Sequence, residues 1–81
     1  MTTAVRLQLL SRPDCHLCEE MATALRDLGL PFDRVNIDEE PALAAAYGDH
    51  IPVLLHGETE VARAPQSPRT LRRALHRSGV I

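Results

Sequence analysis

Cys15 and Cys18 are the only thiols in the chain, and they stand two residues apart in Arg12-Pro13-Asp14-Cys15-His16-Leu17-Cys18. Two cysteines at this spacing can close into a small disulfide ring and reopen without unfolding anything, which suits thiol–disulfide exchange. From Leu17 onward the apolar residues Leu17, Met21, Ala24, Leu25 and Leu28 recur at spacings of three and four, which predicts a helix with one buried stripe. Cys18 falls within that stripe and Cys15 lies at its margin, at the helix N-terminus. His16, Glu19, Glu20, Thr23, Arg26 and Asp27 fill the opposite face. An exposed sulfur attacks a partner's disulfide, and a sheltered one then attacks the mixed disulfide from inside. Cys15 is therefore read as the nucleophile and Cys18 as the resolving cysteine.

The nucleophile must be a thiolate. At an unperturbed pKa near 8.5 only about 3% is ionised at pH 7, against roughly 75% at a pKa near 6.5. The free N–H groups and dipole of a helix N-terminus favour the anion at Cys15, and Arg12, three residues upstream, offers a counter-charge. Asp14, Glu19 and Glu20 oppose it, so the expected depression is not extreme.

The elements that must hold this pair follow from the pattern around it. Ala4 to Leu10 alternates Val5, Leu7 and Leu9 against Arg6 and Gln8, a strand ended by Ser11-Arg12-Pro13-Asp14. Asp14 or Cys15 caps a helix that runs to Leu28 and stops at Gly29, with Pro31 beyond. Phe32 to Ile37 is a second strand, with Asp33, Val35 and Ile37 on one face, and its polar content suits a sheet edge. Strand, helix and strand make a βαβ unit with parallel strands, so the cysteine loop lies at a strand's C-terminal end. Asp38-Glu39-Glu40-Pro41 opens a short helix in which Leu43, Ala44 and Tyr47 face the core and Gly48 caps the end. Ile51-Pro52-Val53-Leu54-Leu55 suits a strand covered on both faces, Gly57 a two-residue hairpin turn, and Thr59 to Ala62 its antiparallel partner. Ala64-Pro65-Gln66 is loop. Ser67-Pro68 starts a final helix through Arg77, ended by Gly79, with Leu71, Ala74 and Leu75 buried.

Composition narrows the chemistry. The chain has 81 residues, enough for one domain (1–81) with one small core, and its 44% hydrophobic and 25% charged residues are ordinary globular values. All 9 basic residues are arginine, so lysine-based covalent chemistry is excluded. With one Tyr, one Phe and no Trp there is no stacking platform for single-stranded nucleic acid, and nucleic acid is not an expected partner. No apolar run approaches the roughly 20 residues that span a bilayer, and no basic segment leads into one, so the expectation is a cytoplasmic monomer without membrane contact. In that reducing compartment a cysteine pair is catalytic or metal-binding rather than structural. Zinc needs four ligands, and His16, His50, His56 and His76 are not spaced as a partner pair, so no metal is expected. Both cysteines could instead simply fill the core. His16 reads as part of a contact surface, and Leu17 beside it completes the residues between the thiols. Arg69, Arg72, Arg73 and Arg77 read as a solvated helix face, with reception of an acidic partner as the alternative.

The order βαβαββα, with Cys-x-x-Cys after the first strand and Ile-Pro opening the third, resembles the thioredoxin fold, an α/β fold with a four-stranded mixed sheet flanked by three helices. More narrowly, Ser11 to Glu19, Asn36-Ile37-Asp38-Glu39-Glu40-Pro41 and Ile51-Pro52-Val53-Leu54 resemble the small glutaredoxin-like proteins of bacteria over nearly the full length. The resemblance implies that Pro52 is cis and faces the cysteine pair, and that Ile51 offers its backbone to a substrate chain. It also implies that Arg12 contacts a glutathione carboxylate. Two stretches depart from the family: His16-Leu17 stands where glutaredoxins commonly have Pro-Tyr, and Val61 to Ser67 lacks their Gly-Gly turn and Asp for the γ-glutamyl end. The expected activity is a thiol–disulfide oxidoreductase with no bound cofactor. It acts on disulfide-containing proteins or on glutathione, its candidate co-substrate, and its substrate contacts are Arg12, His16, Leu17, Ile51 and Pro52. The alternative is a non-enzymatic module of the same fold that binds a metal, an iron–sulfur cluster or a protein partner through the same surface.

Overall fold

The computed structural model describes residues 6–63 and 67–81. Its elements are β1 (Leu7–Ser11), α1 (His16–Asp27), β2 (Phe32–Asn36), a 3-10 turn (Ile37–Glu39), α2 (Pro41–Tyr47), β3 (Val53–His56), β4 (Thr59–Arg63) and α3 (Pro68–Arg77). Ala4 and Val5, expected in the first strand, and the loop Ala64-Pro65-Gln66 lie outside the described residues.

The four strands form one sheet in the order β2-β1-β3-β4, with β1 parallel to β2 and antiparallel to β3, and β3 antiparallel to β4. β2 is thus an edge, as its polar content predicts. Leu9 pairs with Leu54 and Leu10 with Val53, and strand alternation sends these two pairs to opposite faces. On one face Leu7, Leu9 and Leu54 pack with Met21 and Leu25 of α1 and Leu71 and Leu75 of α3. On the other, Leu10, Val53 and Ile37 are buried against Leu43 and Tyr47 of α2. The helices therefore form two layers with the sheet between them. Glu60 pairs with Leu55 and Ala62 with Leu54, leaving Val61 as an extra residue in β4. This bulge lets both Val61 and Ala62 enter the core beneath α1 and α3.

Helix ends follow local chemistry. Ser67 caps α3 through Oγ, which accepts the Thr70 N–H at 3.2 Å, and Pro68 takes the first helical position. Gly57 has φ +64 at the hairpin between His56 and Thr59, the left-handed conformation that a tight β-turn demands there.

Four expectations are corrected. β1 runs on through Ser11, which is 6% exposed. Ile37 is not in β2: the Asn36 side chain accepts the Asp38 N–H at 2.9 Å, which turns the chain into the 3-10 segment and buries Ile37 fully. That segment absorbs Asp38 and Glu39, so α2 itself begins at Pro41 behind Glu40, which makes no side-chain cap. Leu17, expected in the buried stripe, is 41% exposed. Its angle around the helix is close to that of buried Ala24, but it lies in the first turn, at the open end of the layer.

Candidate functional site

β1 delivers the chain to the C-terminal edge of the sheet, and Arg12-Pro13-Asp14 turns it into α1. Asp14 has φ 61, a left-handed conformation that Asp tolerates better than most residues. Cys15 is the N-cap of α1. Its Sγ accepts the Cys18 N–H at 3.2 Å, and its carbonyl accepts the Glu19 N–H at 3.1 Å. Cys15 and Cys18 are joined as a disulfide, with Cα atoms 5.2 Å apart, inside the ordinary range for such a bond. Cys18 is fully buried, whereas Cys15 is half-buried. The expected asymmetry of the pair is present, and it arises because Cys18 sits inside the helix stripe while Cys15 sits on its rim.

The Ile51–Pro52 peptide bond is cis. Because Leu10 pairs with Val53, the residues just before β3 lie beside Ser11, at the same sheet edge as the cysteine loop. Pro52 is buried and Ile51 half-buried, and the strand ladder begins only at Val53, which leaves the Ile51 peptide beyond it. His16 and Leu17 are both exposed beside the disulfide. His16 Nε2 is 3.6 Å from Glu20 Oε1, one turn along α1.

Arg12 does not stand as a free counter-charge to Cys15. Its Nε donates to Asp38 Oδ1 at 3.1 Å and its Nη1 to the Gly48 carbonyl at 3.4 Å, which ties the cysteine loop to the 3-10 turn and to the end of α2. Gly48 itself is right-handed, and what requires glycine there is space: a Cβ would stand 2.5 Å from the Ala44 carbonyl oxygen. The acidic residues near the cysteines are also partly neutralised. Arg34 on β2 donates to Glu19 Oε1 at 2.8 Å, a pair that joins the first turns of α1 to the sheet edge. Arg34 and Asp38 are the site residues that sequence reasoning missed. Each meets its partner across a turn of the fold, and no local spacing signals it.

Two clefts flank the cysteine loop. One, of about 280 Å³, is lined by Ser11, Arg12, Pro13, Glu19, Arg34, Asn36 and Glu39. The larger, of about 640 Å³, runs along the polar face of α1 from His16 to Asp27 and is closed on its other side by Ser67 and Pro68 at the start of α3. Among the described residues no three His, Cys, Asp or Glu side chains are grouped to hold a metal ion. The arrangement can form and break one disulfide at a surface that a partner chain can reach.

The family model of a glutaredoxin-like domain matches residues 6–77. A structural-genomics target protein from X. campestris is 37% identical, with a TM-score of 0.79, covering 88% of this chain and 96% of its own. Protein Ne2328 from Nitrosomonas europaea is 28% identical, with a TM-score of 0.72, covering 90% and 93%. The glutaredoxin-like protein NrdH-redoxin from Escherichia coli is 26% identical, with a TM-score of 0.65, covering 84% and 92%. No curated protein matches the chain.

Proposed function

The chain belongs to the glutaredoxin-like domain family, with the thioredoxin-like α/β fold. We propose that it works as a thiol–disulfide oxidoreductase, cycling between a Cys15/Cys18 dithiol and the disulfide and reducing disulfides of proteins or of glutathione adducts. The observation that carries this reading is the unequal burial of two bonded cysteines at a helix mouth, with Cys18 enclosed and Cys15 on the rim.

The Cys15 thiolate attacks one sulfur of the substrate disulfide. A bond forms between Cys15 Sγ and that sulfur, and the other substrate sulfur leaves as a thiolate that takes a proton from solvent. Cys18, deprotonated in its turn, attacks Cys15 Sγ and expels the second substrate sulfur. Two electrons have then passed from the protein to the substrate, leaving the Cys15–Cys18 disulfide, which an external thiol reductant reopens. The first turn of α1 supports the step, since the Cys18 N–H donates to Cys15 Sγ and the helix N-terminus favours negative charge there.

The substrate chain lies along Ile51 and Pro52 and touches His16 and Leu17, which present an imidazole and an apolar side chain at the edge of the disulfide. Glutathione is the small co-substrate, with Arg12 receiving a carboxylate in the smaller cleft in exchange for Asp38, and no cofactor is bound. We place the protein in the cytoplasm as a monomer that acts without nucleic acid or membrane. NrdH-redoxin, whose structure is described as explaining a thioredoxin-like activity profile in a glutaredoxin-like protein, supports the protein-disulfide side of this reading.

Equilibration in glutathione buffers of graded poise, followed by alkylation and mass spectrometry, tests it. The expected result is a single two-electron conversion at a poise available in the cytosol, with any glutathione adduct on Cys15. Thiols inert across the whole range, or a coloured or metal-loaded protein without turnover, would replace it with the binding-module reading.

A further inference from the structure

The arginines divide into two populations. Arg6 pairs with Asp33 at 3.0 Å, Arg12 with Asp38 at 3.1 Å, Arg34 with Glu19 at 2.8 Å and Arg63 with Glu60 at 2.6 Å, while Arg26 lies 5.9 Å over the Phe32 ring. Arg69, Arg72, Arg73 and Arg77, all exposed on α3, have no ion pair or hydrogen bond among the described residues. The chain does not lack carboxylates, but no Asp or Glu follows Glu60. With His76 the basic side chains of α3 recur at i, i+3, i+4, i+7 and i+8, a single stripe opposite the buried Leu71, Ala74 and Leu75.

Helix stability accounts for Arg77, which sits in the last turn where the dipole favours a cation, but not for the rest of the stripe. Arg69 and Arg73, and Arg73 and Arg77, are like charges one turn apart, which repel. Arg69 also sits in the first turn, where the helix dipole disfavours a cation and where α3 carries no acidic residue. The free protein holds a repulsive arrangement that an anionic partner would relieve.

We propose that the outer face of α3 is a docking surface for an acidic segment of a partner protein. The row Arg69, Arg73, Arg77 spans about 12 Å at 1.5 Å per residue. Carboxylates placed once per helical turn, or at every second residue of an extended segment, match it. Guanidinium groups present the planar fork that takes a carboxylate in two hydrogen bonds. A long nucleic acid fits less well, since it would run off α3 onto a molecule whose 11 acidic residues all lie before Arg63. A membrane fits less well because the exposed positions of α3 are Arg, His, Thr and Pro, with the apolar side chains turned into the core. β4 ends at the same sheet edge as the cysteine loop, and Ser67 shares a cleft with His16. A segment on α3 therefore begins beside the cysteine end without covering it. The docking surface stands whether or not the cysteine pair turns over substrate.

The probe is a fluorescein-labelled synthetic peptide with glutamates once per turn on one helical face, compared with an isomer carrying the same glutamates around the whole helix. Fluorescence anisotropy is read for the wild-type protein, for the variant with Arg69, Arg72, Arg73 and Arg77 all changed to Gln, for Arg73→Gln alone, and for Arg6→Gln as a control away from α3. The one-faced peptide is expected to bind more tightly than the isomer and to weaken as salt rises. Arg73→Gln should weaken it about twofold to threefold, the fourfold variant by about tenfold or more, and Arg6→Gln hardly at all. Glutamine keeps the helix, which circular dichroism verifies. Equal binding by the isomer or by the fourfold variant would overturn the proposal. So would tighter binding of duplex DNA or of phosphatidylserine vesicles than of the peptide, or self-association of the protein that the fourfold variant abolishes.

Discussion

At the scale of single residues, Cys15 and Cys18 differ because one is a helix cap and the other a core side chain, and their variants should fail differently. Cys15→Ser is expected to abolish turnover, while Cys18→Ser should keep the first attack and accumulate a mixed disulfide that non-reducing electrophoresis detects. Equal loss without a trapped partner in Cys18→Ser would reverse or remove the two roles. Cys18→Ser also buries a hydroxyl at this fully enclosed position, costing about 1–3 kcal/mol unless it finds a hydrogen bond. Arg12 presents a different case, since it holds Asp38 and the Gly48 carbonyl while lining the smaller cleft. If it takes a glutathione carboxylate, Arg12→Gln raises KM for glutathione mixed disulfides and leaves protein disulfides nearly unaffected. Equal effects on both substrates would make Arg12 a tie between loops and nothing more.

The helices illustrate how elements divide stability from surface. α3 gains from its Ser67 cap, and Ser67→Ala should cost about 1 kcal/mol in chemical denaturation. Its exposed stripe works the other way: Arg73 has Arg69 one turn before it and Arg77 one turn after, so Arg73→Gln should stabilise the protein by about 0.5 kcal/mol. A substitution that strengthens the fold while weakening peptide binding is the signature of a surface kept for contact. α1 depends on its buried face. Leu25 is fully buried between the sheet and α3, and Leu25→Ala should cost about 2–5 kcal/mol.

For the molecule as a whole that loss is large, because a chain of this size has roughly 4–12 kcal/mol of stability in total. Charge contributes less. Glu60 lies below the usual carboxylate range, chiefly because Arg63 donates hydrogen bonds to it, and Arg63 is raised by the same contact. A carboxyl lowered in the folded state adds stability that is present above its unfolded value, near pH 4.3, and lost as pH falls through the folded one. A guanidinium raised in the folded state keeps its share until strong alkali. The pair is exposed and screened by water, so its contribution is small. Glu60→Gln should therefore lower the thermal midpoint slightly at pH 7 and not at all near pH 2. A difference that persists in acid would show that the glutamine disturbs packing instead.

Contiguous residues carried most of what could be read early. The helix stripe of α1 with Cys18 inside it, its start at Asp14 or Cys15, the start of α3 at Ser67, the hairpin at Gly57 and the polar edge strand β2 are each written within a few neighbouring positions, because helix and strand periods and turn chemistry are local. The cis bond before Pro52 came from family resemblance, since an Ile-Pro pair by itself does not specify its isomer. What needed the tertiary structure lies between residues far apart in the chain. Arg12 meets Asp38 and Arg34 meets Glu19 only once β1 and β2 align in parallel. Leu17 is exposed because its turn lies at the open end of the layer, a fact of packing that periodicity does not carry. The stripe of α3 was visible as sequence, but that its arginines have no ion-pair partner among the described residues was decided by where the fold places the carboxylates. Electrostatic pairing depends on distances through space, and those are set by strand order and register.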